Sequence, residues 1–114
     1  MMKVVNITKK KEIADNVYVA KDLLKRMKGL LGKRVMSQGS ALLIVPCKGI
    51  HTIGMKFPLD VIFLDKNNRV TSLREDLAPN RMTGFYFRAV SVLELPSGTI
   101  ASTGTRIGDE IEIA

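Results

Sequence analysis

The chain of 114 residues is poor in the side chains that build metal, disulfide and redox sites. It contains one cysteine, one histidine and no tryptophan. A single cysteine excludes an intramolecular disulfide, and together with a single histidine it cannot form a transition-metal cage. Because no carboxylate cluster has the spacing of a calcium loop either, the sequence predicts neither a metal nor another cofactor.

Long apolar runs and nucleotide-binding motifs are also missing. No segment approaches the roughly 20 apolar residues of a membrane-spanning helix, and residues 1–12 lack the apolar stretch of a signal peptide. The sequence contains no phosphate-binding loop, no dinucleotide fingerprint and no serine nucleophile elbow. We therefore expect a soluble cytoplasmic protein, without a membrane partner, that forms one domain over residues 1–114.

Positive charge is concentrated in the first third of the chain. Residues 1–34 carry ten Lys and Arg against three acidic residues, a net of +7, whereas residues 35–114 carry eight of each sign. The asymmetry indicates either a solvated face or a patch that attracts nucleic acid. The solvated face is favoured, because aromatic residues do not alternate with these charges as they do in a base-stacking surface. The basic patch would consist of Lys21, Lys25, Arg26, Lys28, Lys33 and Arg34.

One segment has the pattern of an amphipathic helix. Leucines and a methionine recur at helical spacing between Asp22, a favourable N-cap, and Gly32, a favourable C-terminal stop. The pattern predicts an N-terminal helix over about residues 22–32 that would carry most of the basic patch.

Short apolar runs and turns alternate through most of the remaining sequence, which is typical of β-structure. Residues 61–64 are apolar on both faces and predict a strand buried between two layers, followed by a tight turn over residues 65–69. Other predicted strands are 4–8, 16–20, 41–45, 50–53, 70–73, 85–90, 92–95 and 110–113, whereas 9–12 and 77–83 are predicted as turn and loop. The sequence predicts a mainly β fold, a single small antiparallel sandwich or barrel with one helix packed on it.

His51 is the strongest single candidate for a functional residue. A lone imidazole could act as a general base or as a donor to an anion, with its second nitrogen held by a carboxylate such as Asp60. The alternative is a core histidine that serves only the strand register. From residue type alone the core role is favoured.

Two charged residues could complete a pocket around His51. Asp60 precedes the most apolar strand, where a carboxylate must be solvated, paired or used as a cap. Arg81 lies in a predicted loop and is a plausible partner for it. If the three side chains converge, they form a small polar pocket suited to a carboxylate or phosphate. If they do not converge, Asp60 is a turn cap and Arg81 a surface charge.

Met55, Cys47 and Glu94 are weaker candidates. Met55 is expected to fill core space, and Cys47 to be an inert small side chain. Glu94 shares a strand face with Val92, and it is expected either to face solvent on an edge strand, the favoured interpretation, or to point into the pocket.

Taken together, the sequence resembles the domain of unknown function 192 family from about residue 10 to the end. The resemblance implies a mainly β, jelly-roll-like sandwich with a helix and no established activity. It also singles out His51, Met55, Asp60, Arg81 and Glu94 as motif positions. The matching blocks are residues 28–32 (KGLLG), 41–44, His51-Thr52 with Met55, 57–65 (FPLDVIFLD), Pro79 with Arg81, 92–98 (VLELPSG) and Gly108-Asp109.

Three functional hypotheses follow in order of preference. The first is a small ligand-binding or accessory protein that holds an anionic ligand in the pocket of His51, Asp60 and Arg81. The second is an enzyme with His51 as general base, for which no substrate can be named. The third is nucleic-acid binding through the basic face of residues 21–34.

Overall fold

The computed structural model describes residues 2–20 and 36–114. Within these residues the fold is mainly β. Its elements are β1 Val4–Asn6, β2 Lys11–Ala14, β3 Asn16–Ala20, β4 Ser40–Ile44, β5 Leu59–Leu64, β6 Val70–Leu77, β7 Ser91–Pro96, α1 Thr99–Thr103 and β8 Ile111–Ile113. No helix in this part of the chain is long and apolar enough to cross a membrane.

The strands form two sheets. The smaller sheet has the order β2-β1-β8, and the larger has the order β3-β4-β7-β5-β6. All described pairs are antiparallel except β3 and β4, which run parallel with Asn16 opposite Ser40. A parallel pair needs a long crossover, and residues 21–39 supply the required length.

The inner strands of the larger sheet, β4, β7 and β5, are buried on both faces. In β5, Ile62 and Leu64 point toward the smaller sheet, whereas Leu59, Val61 and Phe63 point the other way. The inter-sheet core consists of Val4, Ile13, Ala14, Ala41, Leu43, Ile62, Leu64, Val70, Leu93, Leu95, Ile100 and Ile111. The loop-side core consists of Ala20, Met36, Leu42, Ile44, Ile50, Met55, Phe57, Leu59, Val61, Phe63, Leu77, Ala89 and Val92.

Two long loops cover the second face of the larger sheet. We call residues 45–58 and 78–90 together the loop layer. They supply Ile50, Met55, Phe57 and Ala89 to the loop-side core. The buried central strand predicted from residues 61–64 is confirmed, and in the described part of the chain loops cover its second face.

Several parts of the predicted fold need correction. The two sheets are separate, so the barrel alternative is wrong, and the parallel β3–β4 pair departs from the all-antiparallel pattern of a jelly roll. The predicted helix at 22–32 and the basic patch lie outside the described residues. The helix that is described, α1, occupies residues 99–103, shortly after β7.

Local predictions also differ in instructive places. Residues 11–14 form β2, although 9–12 were predicted as a turn, because the chain turns earlier, at residues 7–10, where Lys10 adopts a φ of 56°. Residues 50–53 and 85–90 are not strands; they contain one isolated bridge, between His51 and Met82, and hydrogen-bonded turns. The turn over residues 65–69 is confirmed, with Asn68 at a φ of 58°.

Candidate functional site

Thr52 holds the two segments of the loop layer together. Its hydroxyl donates to the carbonyl oxygen of Ala78 at 2.7 Å and accepts from the N–H of Arg81 at 2.9 Å. Its backbone N–H donates to the carbonyl oxygen of Arg81 at 2.8 Å, and its carbonyl oxygen accepts from the N–H of Asn80 at 2.9 Å. Thr52 is fully buried. A β-branched residue with a hydroxyl therefore joins the loops at one point and fixes the backbone of Arg81.

Further backbone hydrogen bonds connect the two segments toward the other end of the loop layer. The N–H groups of Thr83 and Tyr86 donate to the carbonyl oxygens of Ile50 and Lys48, each at 2.9 Å. At Gly49 an added Cβ would lie 2.8 Å from the carbonyl oxygen of Gly84. The two segments therefore approach closely here, and only glycine fits without displacing the opposite backbone.

His51 lies on the bridge between the two segments. It pairs with Met82 in an antiparallel bridge, and its side chain is half-buried. Its Nδ1 accepts a hydrogen bond from the N–H of Ile53 at 3.3 Å, which places the proton of the neutral ring on Nε2. His51 is thus part of the loop layer and lies at the margin of the loop-side core.

Arg81 and Met55 belong to the same layer but face different surroundings. The side chain of Arg81 is exposed, and in the part of the chain that the structure describes its guanidinium forms no ion pair. Met55 is buried in the loop-side core, and its N–H donates to the carbonyl oxygen of Thr52. The backbone segments that carry His51 and Arg81 therefore adjoin, and Met55 is a packing residue of the loop-side core.

Asp60 lies elsewhere. It is fully buried, and by strand alternation it points to the face of β5 that carries Ile62. Its Oδ1 accepts from the N–H of Asp76 at 2.9 Å and its Oδ2 accepts from the N–H of Ile100 at 2.8 Å. The predicted convergence of His51, Asp60 and Arg81 does not occur, because both oxygens of Asp60 bind the backbone on the opposite side of the sheet.

The two residues whose N–H groups donate to Asp60 lie where the chain departs from regular β-structure. Asp76 has a φ of 52° at an irregular step in the β5–β6 pairing, and its carboxylate accepts from the Ser97 hydroxyl at 2.6 Å. Ile100 is the second residue of α1. Asp60 thus joins three elements: β5, the end of β6 and the first turn of α1. Of the two roles that the sequence analysis left open for Asp60, the cap fits these contacts.

Glu94 is also fully buried, on the opposite face from Asp60. Its pairing partners in the sheet are Leu42 and Val61, both of which belong to the loop-side core. The expectation that Glu94 faces solvent on an edge strand is wrong, because β7 is the middle strand of the larger sheet. The alternation that placed Glu94 beside Val92 is confirmed.

The loop layer contains charged residues that the sequence analysis did not single out. Its two segments contain no Asp or Glu, although acidic residues are frequent elsewhere in the chain. Its exposed charged side chains are all cationic: Lys48, Lys56, Arg81 and Arg88. The absence of acidic residues from two separated segments was visible in the sequence, but only the fold shows that these segments adjoin.

A second polar cluster lies at the far end of the molecule, between β1 and the segment before β8. The Asn6 amide donates to Asp109 Oδ2 at 2.9 Å and to the Thr105 hydroxyl at 3.1 Å, and Lys9 Nζ lies 3.0 Å from Asp109 Oδ1. Burial raises the pKa of Asp109, but the hydrogen bonds from Asn6, the Arg106 N–H and Lys9, with the charge of Lys9, outweigh it and lower the pKa overall. Every contact in the cluster is internal, so we assign it a structural role.

An open pocket of about 190 Å³ lies near Ser97 and is lined by Met36, Gln38, Phe57, Pro58, Pro96 and Ser97. Its lining among the described residues contains no charged side chain. Among the described residues, no group of three or more His, Cys, Asp or Glu is placed to hold a metal ion.

Comparison with known proteins agrees with this architecture. A solved structure of a protein of unknown function from Novosphingobium aromaticivorans superposes with a TM-score of 0.80 over 97% of this chain and 82% of that chain, at 19% identity. A solved structure of a candidate transcription regulator from Sinorhizobium meliloti gives a TM-score of 0.80 over 98% of this chain and 91% of that chain, at 22% identity. At these identities the two structures support the fold alone.

The sequence comparisons identify the family. The chain is 30% identical over 112 residues to the UPF0127 protein of Pyrococcus furiosus, covering 94% of each chain. The model of the DUF192 family, described as Uncharacterized ACR, matches residues 4–113. The chain therefore belongs to the DUF192 family, whose function is uncharacterised.

Proposed function

We propose that the domain is a binding protein and that the loop layer is its anion-binding surface. One observation carries the proposal: two adjoining segments present Lys56, Arg81 and Arg88 at the surface and contain no acidic residue. Such a one-sided field attracts anions and raises their local concentration. Arg81 and Arg88 can each bind a phosphate or carboxylate through two parallel hydrogen bonds.

The proposal revises the pocket expected from the sequence. His51 and Arg81 remain in it, because the Thr52 contacts fix the backbone beside both of them. Asp60 leaves it, because both of its oxygens bind the backbone on the opposite side of the larger sheet, and Lys56 and Arg88 are added. The site becomes a cationic surface whose ligand is a phosphate or carboxylate group.

Isothermal titration calorimetry with inorganic pyrophosphate at fixed ionic strength tests the proposal. We expect Arg81→Gln and Lys56→Gln each to weaken binding several-fold, as loss of one positive charge near an anion does at a surface. Lys66→Gln is the matched control, because it removes the charge of an exposed lysine in the turn of residues 65–69, outside the loop layer. Equal weakening by all three variants, or no binding to the wild type, would overturn the proposal.

Nucleic-acid binding through residues 21–34 is a second proposal. The concentration of charge in the first third of the chain favours it, and the description of the Sinorhizobium meliloti structure as a candidate transcription regulator is in keeping with it. It predicts steeply salt-dependent binding of DNA or RNA that charge reversal at Lys25, Lys28 and Lys33 weakens. Undetectable binding at low salt would eliminate it.

A cytoplasmic location completes the proposal. It is consistent with a chain that contains a single cysteine and uses no disulfide to stabilise its fold. Cell fractionation with an antibody against the native protein tests it, and recovery outside the cytoplasmic membrane would contradict it.

A further inference from the structure

The outer surface of the loop layer carries large apolar side chains that project into solvent. The exposed fractions are 76% for Phe85 and 86% for Phe87. Met82 and Ile53, on the same two segments, are 69% and 55% exposed. Large exposed apolar side chains on two adjoining segments that also carry cations indicate a surface that meets another apolar phase.

The backbone that carries these side chains is held by contacts with the rest of the fold. Between the two phenylalanines, Tyr86 turns inward and its ring centroid lies 4.3 Å from that of Phe63. The Lys48 ammonium donates to the carbonyl oxygens of Phe87 and Ala89, each at 2.9 Å. The backbone that carries Phe85 and Phe87 is thus fixed before anything binds, which reduces the entropy cost of binding.

The degree of exposure indicates what kind of surface can cover these groups. Phe85 and Phe87 are each more than three quarters exposed, so a medium that surrounds them buries more area than a base stacked on one ring face. Aliphatic Met82 and Ile53 gain from such a medium but offer no ring to a base. The hydrocarbon edge of a lipid bilayer surrounds inserted side chains, and its phosphate groups match the neighbouring cations.

We infer that the loop layer docks on an anionic phospholipid surface. Phe85 and Phe87, with Met82 and Ile53, enter the boundary between headgroups and acyl chains. Lys56, Arg81 and Arg88 bind the lipid phosphates around them. This inference rests on the proposed function, since the same cations bind the anion, and it names the lipid headgroup as the source of that anion.

An introduced tryptophan provides a direct test, because the natural chain contains no tryptophan whose fluorescence would interfere. We expect Phe87→Trp to bind vesicles of 30 mol% phosphatidylglycerol in phosphatidylcholine, with a blue shift of its fluorescence and quenching by lipids brominated on the acyl chain. The control Ile107→Trp replaces a residue that is 66% exposed outside the loop layer. It should bind equally well and show neither signal. An unshifted, unquenched Trp at position 87 on bound protein would overturn the inference.

Cosedimentation with vesicles measures the apolar and the electrostatic contributions to binding separately. Phe87→Ser should lower the vesicle partition coefficient by about tenfold or more, since burial of a phenylalanine is worth about 1.5–3 kcal/mol, whereas Ile107→Ser should leave it unchanged. Neutral phosphatidylcholine vesicles should bind about a hundredfold more weakly, because each of three cations contributes about fivefold near an anionic surface.

The outcomes distinguish the inference from the proposed function. Pyrophosphate binding that Arg81→Gln weakens, without vesicle binding, would refute the lipid surface and leave the anion site intact. Binding of a 20-nucleotide oligothymidine, lost in Phe85→Ser and Phe87→Ser, would replace lipid with single-stranded nucleic acid. Absence of both pyrophosphate and vesicle binding would refute both proposals.

Discussion

Substitution of Asp60 separates a structural role from a binding role more sharply than any other change. Its buried carboxylate accepts hydrogen bonds from two backbone N–H groups, those of Asp76 and Ile100. A hydrogen bond to a charged group contributes about 1.5–3 kcal/mol, so loss of the pair in Asp60→Ala should lower the free energy of unfolding by about 3–6 kcal/mol. That is a large share of the roughly 5–15 kcal/mol that stabilises a typical domain.

Because a loss of this size leaves little folded protein in Asp60→Ala, Asp60→Asn is the working variant. Its single oxygen can satisfy one N–H group, while its amide faces the other, so we expect a loss of at least about 2 kcal/mol in urea unfolding followed by circular dichroism. Asp65→Ala is the matched control: Asp65 also accepts from two backbone N–H groups, those of Asn67 and Arg69, but in a partly exposed turn. Water can replace the carboxylate there, so the expected cost is about 1 kcal/mol.

The binding measurement completes this test. Folded Asp60→Asn should bind pyrophosphate as tightly as the wild type, because Asp60 lies on the other side of the larger sheet from the loop layer. A variant of nearly wild-type stability that no longer binds pyrophosphate would refute the reasoning. It would return Asp60 to the pocket with His51 and Arg81.

Two further predictions concern the remaining polar contacts. Because the pKa of Asp109 is lower in the folded than in the unfolded state, its contribution to stability is present above the unfolded value and is lost as the pH falls below about 4; acid titration of urea unfolding should therefore show a shallower pH dependence in Asp109→Asn than in the wild type. In Thr52→Val, the buried N–H of Arg81 and carbonyl oxygen of Ala78 lose a partner, which should cost about 2 kcal/mol and weaken pyrophosphate binding by displacing Arg81. Unchanged stability in Thr52→Val would show that the loops do not depend on this contact.

The sequence predicted the features that depend on neighbouring residues. The apolar run of residues 61–64 indicated a strand between two layers, and β5 is fully buried across its length. The asparagines of residues 65–69 indicated the turn that Asp65 and Asn68 form. Alternation also placed Glu94 on the same face as Val92. Each of these depends on local spacing and backbone preference, which a single sequence contains.

The features that failed depend on distant partners. Residues 85–90 contain the aromatic residues typical of a strand, but they form a turn, and none of the described strands pairs with them. The five residues of α1 are too few to show helical periodicity. Asp60 is bound by Ile100, forty residues away in the sequence. The strand order that places β7 in the middle of its sheet is equally non-local, so the burial of Glu94 could not be predicted.

The candidate site was predicted only in part for the same reason. The structure shows that Thr52 brings the backbone segments of His51 and Arg81 together, and a pocket formed by their side chains stays a prediction. The acid-free composition of the loop layer could be read from the sequence. Its significance depends on the pairing of residues 48–52 with residues 81–86, which no local pattern encodes.

Residue-resolved nitrogen-15 NMR during a pyrophosphate titration tests the central claim most directly. We expect the chemical-shift changes to centre on the amides of Arg81, Arg88 and Lys56, with a coupled change at the single imidazole, His51. Changes centred on residues 21–34, or spread evenly over the surface, would contradict the assignment of the loop layer as the anion-binding surface.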